Sequence, residues 1–245
     1  MTDERVFDAS LVIPAFRESS RLPKTIPGIL DFIHQNDLNW EVRIVDDGSG
    51  DDTIEVARGF ADAVDHVVAQ AEPHRGKGGA VRAGMLAARA PLRVMCDADM
   101  SMPVSMVPRI IDALEAGADV AIASREAPGA NRIGEPEYRH MMGRVFNGVV
   151  QVMILPGIKD TQCGFKGFRA EAADSLFRRA MVEGFAFDVE VLYLARRKGL
   201  RIEEVAIDWT HDDDSRVNAI RDTRRMLAEI ARIRLHGLMG YYDGL

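Results

Sequence analysis

Cysteine is nearly absent. Cys96 and Cys163 are the only two in 245 residues, too few for a disulfide framework and in keeping with reduced thiols in a cytosolic chain. Long apolar runs are missing as well. The most apolar stretch, Val145 to Ile158, spans 14 residues and is broken by Asn147, Gln151 and Pro156. It falls short of the roughly 20 needed to cross a bilayer, and both a core helix and an interfacial segment fit it. No Asn-x-Ser/Thr sequon occurs, and the opening MTDERVFDAS has no apolar centre, so a signal peptide is not expected. Net positive charge is lacking too: the balance is −7, which excludes nucleic-acid binding by bulk electrostatics and makes any basic surface local. What remains, 47% apolar and 28% charged residues, is the composition of a globular chain able to bury a full core.

Short β-rich runs alternate with helical patterns through the first half. Strands are expected at Leu11–Ile13, Val42–Val45, His66–Ala69, Arg93–Cys96 and Val120–Ala123, with helices beginning near Thr25, Asp52, Gly78 and Val104. That alternation predicts an α/β fold with a mostly parallel sheet covered on both faces. Ligands of such sheets sit at the carboxyl ends of the strands. The segments there are Pro14-Ala15-Phe16-Arg17-Glu18, Asp46-Asp47-Gly48-Ser49 and Asp97-Ala98-Asp99, two of them rich in carboxylates. Further on, Ala127 to Pro136 reads as a loop, Tyr138 to Leu155 as a helix, and Asp160 to Lys166 as a second loop. Phe187 to Lys198 reads as a helix, Glu203 to Trp209 as a strand, and Val217 to about His236 as a final helix. One domain is expected, with a nucleotide half over about 1–125, an acceptor half over about 126–215 and a C-terminal helix and tail over about 216–245.

Arg75-Gly76-Lys77-Gly78-Gly79-Ala80 invites a phosphate-loop reading, which fails on spacing. A P-loop requires glycine where Ala71 stands and Ser/Thr where Gly78 stands, and a dinucleotide fingerprint requires glycine at Val81. A basic, glycine-rich turn opening a helix remains, where Arg75, Lys77 and backbone N–H groups could meet an anion. Asp46 to Thr53 is likewise not an EF-hand calcium loop, because positions six and twelve counted from Asp47 are Asp52 and Arg58. Either a strand-end carboxylate there meets a base or ribose, or Ser49 and Asp51 simply cap the next helix. Asp97 and Asp99 are the sharpest feature. Two carboxylates one residue apart at a strand end repel unless a cation neutralises them, and Mg²⁺ or Mn²⁺ takes one or two carboxylates plus phosphate oxygens.

Taken in order, these segments resemble the family-2 glycosyltransferases of GT-A fold. VIPAFRE (Val12–Glu18), VDDGSGDDT (Val45–Thr53), RGKGGAVRAGM (Arg75–Met85) and CDADMS (Cys96–Ser101) carry the resemblance through the first half. DTQCGFKGF (Asp160–Phe168), GFAFDVEVLYLA (Gly184–Ala195), EVAIDWTH (Glu204–His211) and Ser215-Arg216 are similar to polyprenyl- and dolichyl-phosphate sugar synthases, the dolichyl-phosphate glucosyltransferase branch in particular. Arg17, where Asn is usual, and Met100-Ser101-Met102 depart from the pattern, as does the lack of a transmembrane segment.

The resemblance implies an inverting hexosyltransferase. Pro14, Ala15, Glu18 and Asp46 or Asp47 would surround the nucleoside, with Arg75, Lys77, Ala98, Gln162 and Arg216 completing the donor site. Asp97 and Asp99 would hold the diphosphate through Mg²⁺ or Mn²⁺, with His211 as a further ligand. The acceptor it implies is a lipid phosphate, already ionised at neutral pH, so the site should hold cations and not a strong base. Arg125 and Arg144 are the first candidates and Lys166 and Arg169 the next, with Asp160 the one residue there to consider as a base. A UDP-hexose or UDP-N-acetylhexosamine is favoured over GDP-mannose. The segment after Val217 is rich in arginine against Asp222 and Glu229, a pattern suited to an anionic membrane surface. Peripheral attachment at the inner face of the membrane is expected, direct or through a small membrane protein. A soluble acceptor, a GDP-mannose-dependent transferase, a non-catalytic nucleotide-sugar-binding subunit and a nucleotidyltransferase remain alternatives.

Overall fold

The structure is a computed structural model that describes residues 6–211 and 219–244. Seven strands form one sheet in the order β3-β2-β1-β4-β7-β5-β8. They are β1 Ala9–Ala15, β2 Trp40–Asp46, β3 Val67–Ala71, β4 Leu92–Cys96, β5 Val120–Ser124, β7 Phe165–Arg169 and β8 Ile202–Ala206. Every pairing is parallel except those of β7, which runs antiparallel between β4 and β5. A separate two-stranded parallel ribbon joins β6 Asn131–Ile133 to β9 Asp208–Thr210. The five strands expected from the first half are all present.

The strands are apolar on both faces because helices cover both. Leu11, Ile13, Val42, Ile44, Val94 and Ala121 point into a core with α1 Leu22–Gln35, α2 Thr53–Ala63 and α4 Val107–Glu115. Val12, Val45, Met95, Val120 and Ile122 point the other way, toward α3 Lys77–Ala87, α5 Glu137–Met153, α6 Ala170–Arg179, α7 Phe187–Arg197 and α8 Ala219–Leu238. The helical period is visible in α1, which buries Leu22, Ile26, Ile29 and Ile33, each contributing on the order of 1.5–3 kcal/mol. Gly84 lets α3 lie close on the sheet: a Cβ there would overlap Val12 Cγ1 and come within 2.7 Å of Val45 Cγ2.

Three local expectations change. The loop after Asp160 ends early, because Phe165–Arg169 is a strand buried between β4 and β5. Ala127 to Pro136 contains β6. The single strand expected over Glu203 to Trp209 is two, since the chain leaves the main sheet at the fully buried Ile207 and enters the ribbon at Asp208.

Candidate active site

The antiparallel course of β7 does more than fill the sheet. It brings residues 160–164, just before its first residue, to the same edge as the carboxyl ends of β1, β2 and β4. Asp97 follows β4, and its carboxylate lies directly against Gly164: a Cβ at that position would overlap Oδ2 and Cγ. Gly164→Ala is therefore expected to displace Asp97 and to cost at least ten times as much activity as Gly59→Ala in α2, whose Cβ would meet nothing and whose backbone is helical, as steady-state kinetics would show.

Asp99 is oriented by its own turn, with Ser101 N–H donating to Oδ1 at 3.0 Å. Met100 completes that turn at φ +49°, and Arg17, after β1, has φ +57°. Left-handed backbone in non-glycine residues is uncommon and gathers at functional sites. Burial and the neighbouring Asp97 charge raise the Asp99 carboxyl above its ordinary range, against the pull of Ser101 N–H and Lys77.

The cation that the aspartate pair requires is partly built in. Lys77, at the start of α3, places Nζ 2.6 Å from Asp97 Oδ1. Burial alone would lower the ammonium, but Asp97, Asp188 and Asp99 more than offset it and raise it. Asp188 in turn accepts a 2.7 Å bond from Lys166 Nζ, which also donates to Cys163 O at 2.6 Å. Alternating charges thus run from the sheet edge into the core: Asp99 and Asp97, Lys77, Asp188, Lys166. Sequence reasoning singled out Lys77 as an anion-binding residue, which here pairs with Asp97, and missed Asp188, whose signal was a carboxylate on the apolar pattern of α7.

Lys166 is a correction. It is 1% exposed and bound to Asp188, so it meets no acceptor. Arg169 is another: at the far end of β7, it bonds to Leu114 O and Ala118 O at the opposite edge of the sheet. His211 is expected as a further metal ligand, and no group of three or more metal-binding side chains occurs among the described residues. His211 is held near the site, its N–H donating to Ile133 O while Thr210 N–H donates to Ser101 O. Arg216 lies outside the described residues.

The nucleoside candidates lie where expected, at the ends of β1 and β2, but several are engaged by the protein. Asp46 accepts from Ser49 Oγ and, at 3.3 Å, from Ser49 N–H. Asp47 clamps the loop before α3, accepting from Arg75 N–H and Gly76 N–H at 2.9 Å and pairing with His74 Nδ1 at 2.8 Å. Glu18 pairs with Arg21 at 3.1 Å. Pro14 and Ala15 end β1, and beside them Phe16 stacks on His74 with centroids 4.4 Å apart. Ala98 is buried between the two aspartates. Arg75 is exposed, 3.9 Å from Glu183.

The segment that ends at Gly164, against Asp97, leads into a cleft lined by Arg125, Arg132, Arg144, Lys159, Asp160 and Gln162 among others. Arg125 is bidentate to Asp160, with Nε–Oδ2 at 2.7 Å and Nη2–Oδ1 at 2.9 Å, and sits over the Trp209 ring at 5.2 Å. Burial opposes the Asp160 carboxylate, but Arg125 outweighs it and holds the group below the ordinary range. A carboxylate so held is a poor base, and Asp160 instead positions Arg125. Arg132 is paired with Glu126 and Glu135. Arg144 and Lys159 are exposed and form no ion pair among the described residues. Gln162 Nε2 donates to Met226 Sδ at 3.7 Å, which ties the cleft to α8.

A cation fits beside Asp97 and Asp99. The donors are hard carboxylate oxygens, and too few to enclose an ion, which suits Mg²⁺ or Mn²⁺ completed by phosphate oxygens. Lys77 would have to share Asp97 with it.

The chain matches the model of glycosyl transferase family 2 over residues 10–177. It is 31% identical to the dolichyl-phosphate beta-glucosyltransferase of Dictyostelium discoideum over 247 residues, covering 95% of this chain and 76% of the relative. The yeast Saccharomyces cerevisiae enzyme of that name is 34% identical over 261 residues, covering 98% and 78%. Among solved structures, glucosyl-3-phosphoglycerate synthase from Mycobacterium tuberculosis with phosphoglyceric acid superposes with TM-score 0.69 at 18% identity, covering 93% of this chain and 80% of that one. The same enzyme with Mn²⁺, UDP-glucose and phosphoglyceric acid gives 0.68 at 16% identity, with the same coverage. At such identities the structures show the fold alone, and the fold is GT-A. This chain belongs to glycosyl transferase family 2 and is a glycosyltransferase.

Proposed function

We propose that the chain transfers a hexose from a nucleotide sugar, UDP-glucose before the other UDP-hexoses, UDP-N-acetylhexosamines or GDP-mannose, to a polyprenyl phosphate. The observation that carries this reading is that the segment 160–164, whose Gly164 lies against Asp97, leads into a cleft where the Arg144 and Lys159 side chains form no ion pair among the described residues, although Glu204 accepts from the Lys159 backbone N–H at 3.1 Å. The first half, about 1–125, would hold the donor and the segment 126–215 the acceptor. The names of the relatives support glucose and a dolichyl-phosphate-like acceptor.

Asp97 and Asp99 would hold Mg²⁺ or Mn²⁺ against the donor diphosphate. Bound there, the cation supplies charge stabilisation to the departing nucleoside diphosphate. Lys77 keeps the aspartates from repelling one another before the donor arrives. Arg144 and Lys159 orient the acceptor phosphate, and Arg125, fixed by Asp160, borders its path. The phosphate oxygen attacks the anomeric carbon while the bond to the diphosphate breaks. A phosphate monoester is largely ionised at pH 7, so the reaction needs no strong general base. The acceptor requires approach to a membrane, for which the arginines of α8 offer charge, and the chain would act from the cytoplasmic side. No helix among the described residues is long and apolar enough to cross a membrane.

The test is a donor screen with polyprenyl phosphate in detergent and either metal, with 3-phosphoglycerate and a free saccharide as soluble-acceptor arms. Polyprenyl-phosphate glucose from UDP-glucose, abolished by EDTA, is the expected product. Transfer to a soluble acceptor alone, or from GDP-mannose alone, would overturn the reading.

A further inference from the structure

Exposed large apolar side chains are unevenly placed on this molecule. Six lie on the outer side of α5: Tyr138, Met141, Met142, Val145, Val149 and Val152, with Met141 at 68%, Val145 at 65% and Val152 at 87% exposure. Their spacing of three, one, three, four and three residues keeps them on one helical stripe. The opposite side of α5 is an ordinary core face, with Phe146 and Val150 buried. The helix therefore carries a second apolar stripe, one that faces water, beside polar positions such as Arg144 and Asn147.

Two further observations bear on what covers that side. The first is continuity with the cleft: Gly143, Arg144 and Asn147, all on α5, line the candidate acceptor site. The second is charge. Arg144 is exposed on α5, and Arg224, Arg232 and Arg234 are exposed on α8, whose Arg234 Nη1 donates to Met153 O at the end of α5. Leu235 and Leu238 beside them on α8 are exposed as well, at 53% and 77%. In a chain of net charge −7 this is an apolar surface edged by cations. A second copy of the same face would bring arginine against arginine, whereas an anionic lipid surface would meet both the charge and the apolar stripe.

We propose that the outer face of α5, with the arginines of α8, is the surface by which the chain seats on an anionic bilayer. Resting on the polyprenyl-phosphate reading, this deepens it. Seated so, Arg144 stands at headgroup level, and the acceptor phosphate enters the cleft while its polyprenyl chain stays in the bilayer alongside α5.

Flotation with phosphatidylglycerol-containing vesicles, without donor or acceptor, tests the seating apart from the transfer reaction. The wild-type chain is expected to float at low salt and to keep part of its binding at high salt, because only the charge component is screened. Val145→Asp/Val149→Asp is expected to lower the partition by about tenfold or more, with an unchanged far-UV spectrum because both side chains are exposed. Met141→Cys labelled with an environment-sensitive dye gives a second readout, since Cys96 and Cys163 are buried. Its emission should shift to the blue on anionic vesicles. Equal flotation of the double variant and the wild type overturns the proposal. So does a wild-type chain that ignores vesicles but forms a dimer dissociated by the double variant, or one that floats only with an added membrane protein. A chain that floats as expected yet transfers nothing to polyprenyl phosphate overturns the function proposed above and leaves the seating intact.

Discussion

Asp99→Ala is expected to lower transfer by roughly 10²–10³-fold or more while leaving the protein folded with an unchanged or slightly raised melting temperature. The stability half of this result follows from the raised Asp99 carboxyl. Burial and the Asp97 charge both disfavour its ionised form, so at neutral pH the side chain is held at a cost to the fold. Removing it relieves repulsion within the Asp97–Asp99 pair and leaves Asp97 with Lys77 at 2.6 Å. The activity half follows because a diphosphate and its cation would lose one of the two hard oxygen donors proposed for them after β4. A thermal shift with Mn²⁺ and UDP reads this without turnover: the wild type should be stabilised by the ligands and Asp99→Ala should not. Equal ligand stabilisation of the two proteins would show that Asp99 holds no metal.

Lys166→Met should be the most destabilising single change in the charge series. Lys166 is 1% exposed and its partner Asp188 is 4% exposed. Methionine fills the volume but leaves the Asp188 carboxylate buried without its ammonium partner, a change that costs about 3–5 kcal/mol. For a chain of this size that corresponds to a fall in melting temperature of about 6–20 °C. Lys166→Met/Asp188→Leu should recover most of the loss, because a matched apolar pair replaces a buried ion pair at little net cost. The double variant is also expected to bind donor weakly, since Asp188 helps to hold Lys77 charged. A single variant that melts within 2 °C of the wild type, a margin of about 1 kcal/mol or less, would mean that the pair is not buried in solution.

The order of strands and helices through the first half could be read from the chain alone. Each strand there is an apolar run closed by a turn, and burial on both faces imposes that pattern directly. The second half gave weaker signals. Phe165–Arg169 carries a lysine and a glycine in a five-residue strand, and Lys166 there resembles a surface residue until Asp188 is placed beneath it. Residues 202–210 read as one strand because the switch from sheet to ribbon at Ile207 has no local signature.

The candidate site divides along the same line. By itself the sequence determined which residues stand at the ligand edge after β1, β2 and β4, because a carboxylate that follows an apolar strand has nowhere else to go. Asp97 and Asp99, and the loop with Lys77, were legible for that reason. Only the tertiary structure decided which cations face the cleft. The antiparallel course of β7 buries Lys166 and carries Arg169 to the wrong edge, while α5 leaves Arg144 in the open. It also decided what Asp160 touches, and a carboxylate serves better as a base or as an anchor according to what lies within 3 Å of it, here the Arg125 guanidinium at 2.7 Å. A side chain's chemistry is local, but its partner is set by contacts between residues far apart in the chain.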